Sequence, residues 1–99
     1  MIQHAVMWKL VDLTDAERFT AIARFGTELR ALVGVVPGLV SMAVTSDVRE
    51  IDSNFDVALI SLHESREALA IYQSHPEHVA VATWWGSLVA ERGAVDSEV

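Results

Sequence analysis

Val36-Pro37-Gly38-Leu39-Val40-Ser41-Met42-Ala43-Val44-Thr45 joins a helix end to a strand within a few residues. Pro37 has no backbone donor and Gly38 opens the left-handed region, so Val35-Val36-Pro37-Gly38 ends a helix and turns the chain. Leu39 to Thr45 then reads as a strand, with Val40, Met42 and Val44 on one side and Leu39, Ser41 and Ala43 on the other. Both sides are apolar or small. A strand that shows one face to water alternates with polar residues, so this one is expected to be covered twice.

Upstream, Ile2 to Leu10 reads as a first strand. Ile2, His4, Val6, Trp8 and Leu10 share one face; Gln3, Ala5, Met7 and Lys9 share the other. Thr14 and Glu17 form a capping box, and a helix is predicted from there to about Val33, its apolar positions including Phe19, Ile22, Ala23, Leu29 and Val33. Gly26 inside it is read as permitting a close approach. Downstream, Ser46 to Asn54 is a polar loop. Phe55 to His63 is a third strand, with Phe55, Val57, Leu59, Ser61 and His63 on one face. Ser65 caps a second helix to about Ser74, and His75-Pro76 breaks it and starts another. On that helix His78, Val81, Ala82 and Trp85 share a face, Gly86 ends it, and Leu88 to about Val95 is a fourth strand.

The order β-α-β-β-α-β predicts an α+β, ferredoxin-like protomer with one antiparallel four-stranded sheet. Its helices can cover only one face, yet strands two and three are apolar or small on both. A second copy of the sheet, packed face to face or closing a barrel, resolves the conflict, so a homodimer through the sheet face is expected.

Composition narrows the function classes. Ninety-nine residues allow one domain, 1–99, and the apolar share of 52% exceeds what so small a surface hides easily. Mean hydropathy is +0.31. No apolar run approaches the roughly 18 residues of a membrane span, and Met1-Ile2-Gln3-His4 lacks a signal peptide's basic and apolar regions, so the expected address is cytoplasmic. With 7 basic against 14 acidic residues, a net charge of -7 and no basic patch, nucleic-acid binding is not expected. There is no cysteine for a disulfide or thiolate site. His63, Glu64 and Glu67 have weak metal spacing and read better as a solvated strand end, so no metal is assigned. There is no nucleophile elbow and no phosphate loop.

Five stretches occur together: I-x-H-x-V-x-W-K-L (Ile2 to Leu10), V-P-G-L (Val36 to Leu39), F-D-V-A-L-I (Phe55 to Ile60), A-L-x-x-Y-x-x-H-P-x-H-V (Ala68 to Val79) and Val95-Asp96. In this order they resemble the stress-responsive dimeric α/β-barrel (Dabb) family over nearly the whole chain. The resemblance implies a ferredoxin-like protomer, a dimeric barrel with its helices outside, and for most members an unassigned activity. One branch is a plant polyketide cyclase acting on olivetol-type chains. Matched by motif, its catalytic tyrosine and histidine fall on Tyr72 and His78, and a further cavity histidine on His4. Where that cyclase has another histidine on its third strand this chain has Val57, and an aromatic of its first helix falls near Leu29.

Two readings of these residues follow. In the first, the chain is a small dimeric protein binding a small apolar molecule between sheet and helices, with His4, Val6, Trp8, Leu59 and Val81 as ligand-binding residues. In the second it is a cofactor-free, polyketide cyclase-like enzyme closing a ring by aldol-type chemistry. His78, near neutral pKa by residue type, would be the base, and Tyr72 would orient the carbonyl and donate to the developing enolate. Neither reading needs a metal or organic cofactor. Tyr72 and His78 equally suit structural roles, as a core tyrosine and a core-edge histidine bonded to backbone. His4 suits a partly buried position with one nitrogen satisfied. His75 reads as a cap of the Pro76 helix, and Trp84 as a subunit-interface residue.

Overall fold

The computed structural model describes residues 1–99. Strand β1 (Ile2–Leu10) is followed by helix α1 (Asp15–Arg30), strands β2 (Leu39–Ser46) and β3 (Val57–His63), helices α2 (Arg66–Ser74) and α3 (Pro76–Gly86), and strand β4 (Val89–Glu98). The sheet order is β2-β3-β1-β4 and every neighbouring pair is antiparallel. This is the ferredoxin-like arrangement. No helix is long and apolar enough to cross a membrane.

Local chemistry accounts for the helix boundaries. Thr14 and Glu17 close the capping box in both directions at 3.1 and 2.9 Å, satisfying two donors that the first turn of α1 leaves free. After Arg30 the chain tightens into short turns, Leu32 N–H to Leu29 O at 3.0 Å and Val33 N–H to Arg30 O at 3.2 Å. The helix therefore stops before Val33. Its buried stripe is Ala21, Phe25, Gly26 and Leu29, continued by Leu32 and Val36. Phe19, read from sequence as part of that stripe, is 77% exposed, and Val33 is also exposed. At 100° per residue Phe19 sits about 120° around the helix from Phe25, so the face set by Phe25 leaves it in water. At Gly26 the nearest atoms a Cβ would meet belong to the flexible tip of Arg30 on the same helix, at 2.8 Å and beyond, not to a neighbouring element.

Gly38 is different. Its φ is +81°, and a Cβ would lie 2.5 Å from that of Ala68 in α2. Glycine is required there by both conformation and space. Just beyond it, pairing shifts between Leu39↔His63 and Ser41↔Leu62. That bulge corrects the face assignment of β2. Leu39 joins Met42 and Val44 toward the helices, while Val40 is left outside the ladder. β3 starts at Val57 rather than Phe55, because Asp56 is held by other bonds: its N–H reaches Trp8 O and its carboxylate accepts from Leu10 N–H at 2.8 Å. β4 starts at Val89, since Ser87 and Leu88 still bond back to Trp84 and Trp85 of α3.

The helices cover one face of the sheet, which presents Ile2, Val6, Trp8, Leu10, Val57 and Leu59 to the core. The other face carries Ala5, Met7, Ala43, Ala58, Ile60, Leu62 and Val95, as the register of pairs such as Met7↔Ala58, Ala5↔Ile60 and Ala5↔Val95 requires. Nothing in this chain covers it, and Met7, Ile60 and Val95 stand exposed.

Candidate active site

The break between α2 and α3 builds one wall of the site. Ser65 caps α2 by accepting from Ala68 N–H at 3.1 Å, and the helix carries Tyr72 in its last turn. His75 takes extended backbone, φ −63° and ψ 132°, as a residue before proline must. Its Nδ1 accepts from Glu77 N–H at 3.2 Å, so it is the N-cap of α3. Restarting the helix one residue later brings His78 back over the end of α2. There its Nδ1–H donates to Gln73 O at 3.2 Å, satisfying a carbonyl left open by the helix end. The carbonyl can only accept, so the neutral ring carries its proton on Nδ1 and keeps a lone pair on Nε2.

The sheet supplies the opposite wall. Strand alternation turns His4 toward the helices, and the antiparallel register sets Asp96 of β4 directly beside it. His4 Nδ1–H donates to Asp96 Oδ1 at 2.5 Å, which holds the ring and leaves Nε2 free. The rings form a cluster, Tyr72 to His78 at 4.2 Å between centroids, Tyr72 to His63 at 4.9 Å and Tyr72 to His4 at 6.5 Å. His63 lies behind the cluster with Nε2 2.8 Å from Ser61 Oγ, and its Nδ1 has no partner.

Between these walls is a cavity of about 440 Å³, inside the range of small-molecule sites. His4, Tyr72, Gln73 and His78 line one end. Trp8, Phe25, Leu29, Leu59, Ala82, Trp85 and Val89 form apolar sides, with Gly86 and Arg92 completing the lining. Trp8, Phe25 and Trp85 line the space rather than fill it. Phe25 stacks on Trp85 at 3.8 Å, and Trp8 meets both rings edge-on.

Of the sequence-derived ligand residues, the structure brings His4, Trp8 and Leu59 to this cavity and leaves out two. Val6 is a fully buried core residue of β1, and Val81 packs partly buried against the core one helical position from the cavity-facing Ala82. Trp84, read as an interface residue, lies on the helix layer with the Arg24 guanidinium 3.8 Å above its ring. His63 corrects a further expectation. It is 0% exposed rather than a solvated strand end, because Leu39 pairs beside it and Tyr72 packs over it. Strand alternation with Leu59 and Ser61 already carried that signal. Arg92 has no part in the sequence reading, and Asp96 enters it only within the Val95-Asp96 stretch, with no site role. Their places depend on the β1–β4 register, which pairs them with His4 and Trp8.

Burial fixes the protonation of the cluster. It pushes His63 down to about 4, aided by His4 and opposed by Asp96. It pushes the Tyr72 phenol above the ordinary tyrosine range. It lowers His78 below the ordinary histidine value, with His4 and His75 acting in the same sense and the Gln73 carbonyl opposing. At neutral pH, then, Tyr72 is a donor and His78 an unprotonated base. A linkage follows for stability. The unfolded chain takes up a proton on His63 near the ordinary histidine value of 6.5, and the folded chain does not until about 4. Stability associated with neutral His63 is complete above 6.5 and lost as pH falls toward 4. Urea midpoints of the wild type and His63→Gln, compared at several pH values, should show the wild type losing more across that window. Parallel losses would exclude the linkage.

The profile of the stress responsive A/B barrel domain family matches residues 2–99. Among solved structures, a dimeric ferredoxin-like protein of unknown function from Bacteroides fragilis has a TM-score of 0.90 at 24% identity, covering 99% of this chain and 95% of its own. A Dabb family protein from Mesorhizobium loti gives 0.75 at 19%, covering 99% and 95%. The hydroxynitrile lyase of Passiflora edulis gives 0.80 at 11%, covering 99% and 92%. No curated protein sequence matches significantly. At such identities the likeness in structure is one of fold, and the family's sequence profile says more: this chain belongs to the stress responsive A/B barrel domain family.

Proposed function

We propose that the chain is a homodimer that binds a small, mainly apolar carbonyl compound in the cavity and moves a proton at the carbon beside the carbonyl. The observation that carries this reading is the placing of Tyr72 and His78, with rings 4.2 Å apart, on one cavity whose remaining walls are mostly apolar. His78 Nε2 removes the proton. Its lowered basicity keeps the acceptor form present at neutral pH, and the bond to Gln73 O holds the ring while the proton arrives. The Tyr72 hydroxyl has no hydrogen-bond partner in the chain and can donate to the developing enolate oxygen. After ring closure the proton held on His78 passes to the alkoxide that forms, and His4, held by Asp96, offers a second Nε2 as a hydrogen-bond acceptor on the other side of the substrate. Such steps serve an aldol-type ring closure or a lyase and use no group beyond these side chains.

Binding is the first test. Trp8 and Trp85 line the cavity, so 2-tetralone, a compact apolar ketone, should quench tryptophan emission saturably. Its addition should also shift the ring resonances of His4 and His78. Absence of both effects counts against the cavity as a binding site.

The dimer follows from the uncovered sheet face. A solvated sheet face is ordinarily polar, so an antiparallel sheet apolar on both faces calls for cover on both, and the B. fragilis relative is described as dimeric. Ile60 sits on β3, one strand in from the sheet edge, and is exposed in the protomer. Ile60→Glu places a charge in the proposed interface without touching the core. The wild type should sediment as a dimer at micromolar concentration and the variant as a folded monomer. A monomeric wild type refutes the assembly.

A further inference from the structure

Arg92 is the only formally charged side chain on the cavity. It projects from β4 beside Trp8, two same-face positions before Asp96, which stands beside His4. A strand rises about 3.3 Å per residue, so the two positions are about 13 Å apart along β4. Arg92 therefore springs from the Trp8 end of the sheet wall, away from the strand position beside His4. It has no ion pair and no side-chain hydrogen bond within the chain, although acidic residues outnumber basic ones two to one. The other basic groups of the cavity wall are the imidazoles of His4 and His78.

Resting on the binding reading above, we propose that Arg92 selects a ligand with one carboxylate on an apolar body. The carboxylate pairs with the guanidinium, and the reactive carbon is thereby directed toward Tyr72 and His78. A planar guanidinium matches a carboxylate through two parallel hydrogen bonds. One fixed cation balances a monoanion and would leave a phosphate dianion half compensated. The reverse orientation would bring the carboxylate toward His4, whose ring has the Asp96 carboxylate behind it. A chain of net charge -7 repels anions at long range, so a preference for the charged form of a ligand must come from a local cation.

Calorimetric titration with 2-naphthoate and its neutral analogue 2-naphthamide tests the assignment. Wild type should bind the carboxylate about ten-fold or more tightly than the amide. Arg92→Gln should remove that preference while binding the amide within about two-fold of wild type, and Arg92→Lys should restore part of it. Arg30→Gln, an exposed site on α1 with the same change in net charge, should leave the preference intact. Equal affinity of wild type for both compounds, or a preference that survives in Arg92→Gln, overturns the role of Arg92 and leaves the cavity reading standing. Binding of neither compound overturns both.

Discussion

Phe25→Ala should destabilise the protein by about 3–5 kcal/mol, the usual loss for a buried phenylalanine. Phe25 is 3% exposed and is the centre of the aromatic wall, stacked 5° from parallel on Trp85 and edge-on to Trp8. Such pairs contribute about 0.5–1.5 kcal/mol beyond area burial. The loss should exceed what collapse of the site can recover, because the vacated volume joins an existing cavity that water can enter. For a domain of this size the change corresponds to a fall in Tm of roughly 15 °C or more. Phe19→Ala is the internal control: the same residue type on the same helix, exposed to solvent, should shift stability by no more than about 0.5 kcal/mol. Urea unfolding at one fixed protein concentration measures both, since a dimer's stability depends on concentration. A Phe25→Ala loss below about 1 kcal/mol, or equal losses at the two positions, would show that the helix face has been misassigned.

That contrast also shows what the sequence made legible. Strands, helix caps and the break at His75-Pro76 rest on local chemistry: alternation, a capping box, and a proline that forbids helix in the preceding residue. These could be read residue by residue. The facing of α1 could not be anchored on Phe19, because two aromatic residues six positions apart compete for the core and only packing against Trp8 and Trp85 decides between them. Leu39 faces the opposite side from the one that strict alternation predicts, for a related reason. A bulge inverts the alternation at Val40, and no local signal marks it beyond the preceding glycine. Tyr72, His78 and His4 lie at positions the motif and the strand period single out. Asp96 and Arg92 are ordinary polar residues until β4 pairs with β1, so their partners depend on long-range register. His63 lay within reach of sequence reasoning, since alternation put it on the buried face. A strand-end position does not by itself mean exposure: Leu39 and Tyr72 cover His63.

The same register ties the chemistry together. Asp96 reaches His4 only because β4 runs antiparallel beside β1, and His78 reaches Gln73 only because the helix restarts at Pro76. The proposed base His78 is thus held by backbone, and His4 across the cavity by a carboxylate, which is the kind of support that keeps a histidine in one tautomer.

The second large effect concerns the proposed Tyr72–His78 pair. Deuterium exchange at the benzylic carbon beside the carbonyl of 2-tetralone, followed by proton NMR in D2O at neutral pH, requires a base at carbon and a donor at oxygen and nothing more. Wild type should accelerate exchange well above the buffer rate. His78→Gln, which retains a donor for Gln73 O and loses the base, should lower the rate about 10²- to 10⁴-fold, the usual contribution of a positioned general base. Tyr72→Phe should lower it substantially while leaving 2-tetralone binding intact. The wild-type rate should decline only in acid, below the ordinary histidine range, because burial depresses the pKa of His78. Exchange at the buffer rate with the cavity saturated, or a rate unchanged in both variants, would contradict the assignment of Tyr72 and His78 as a proton-transfer pair.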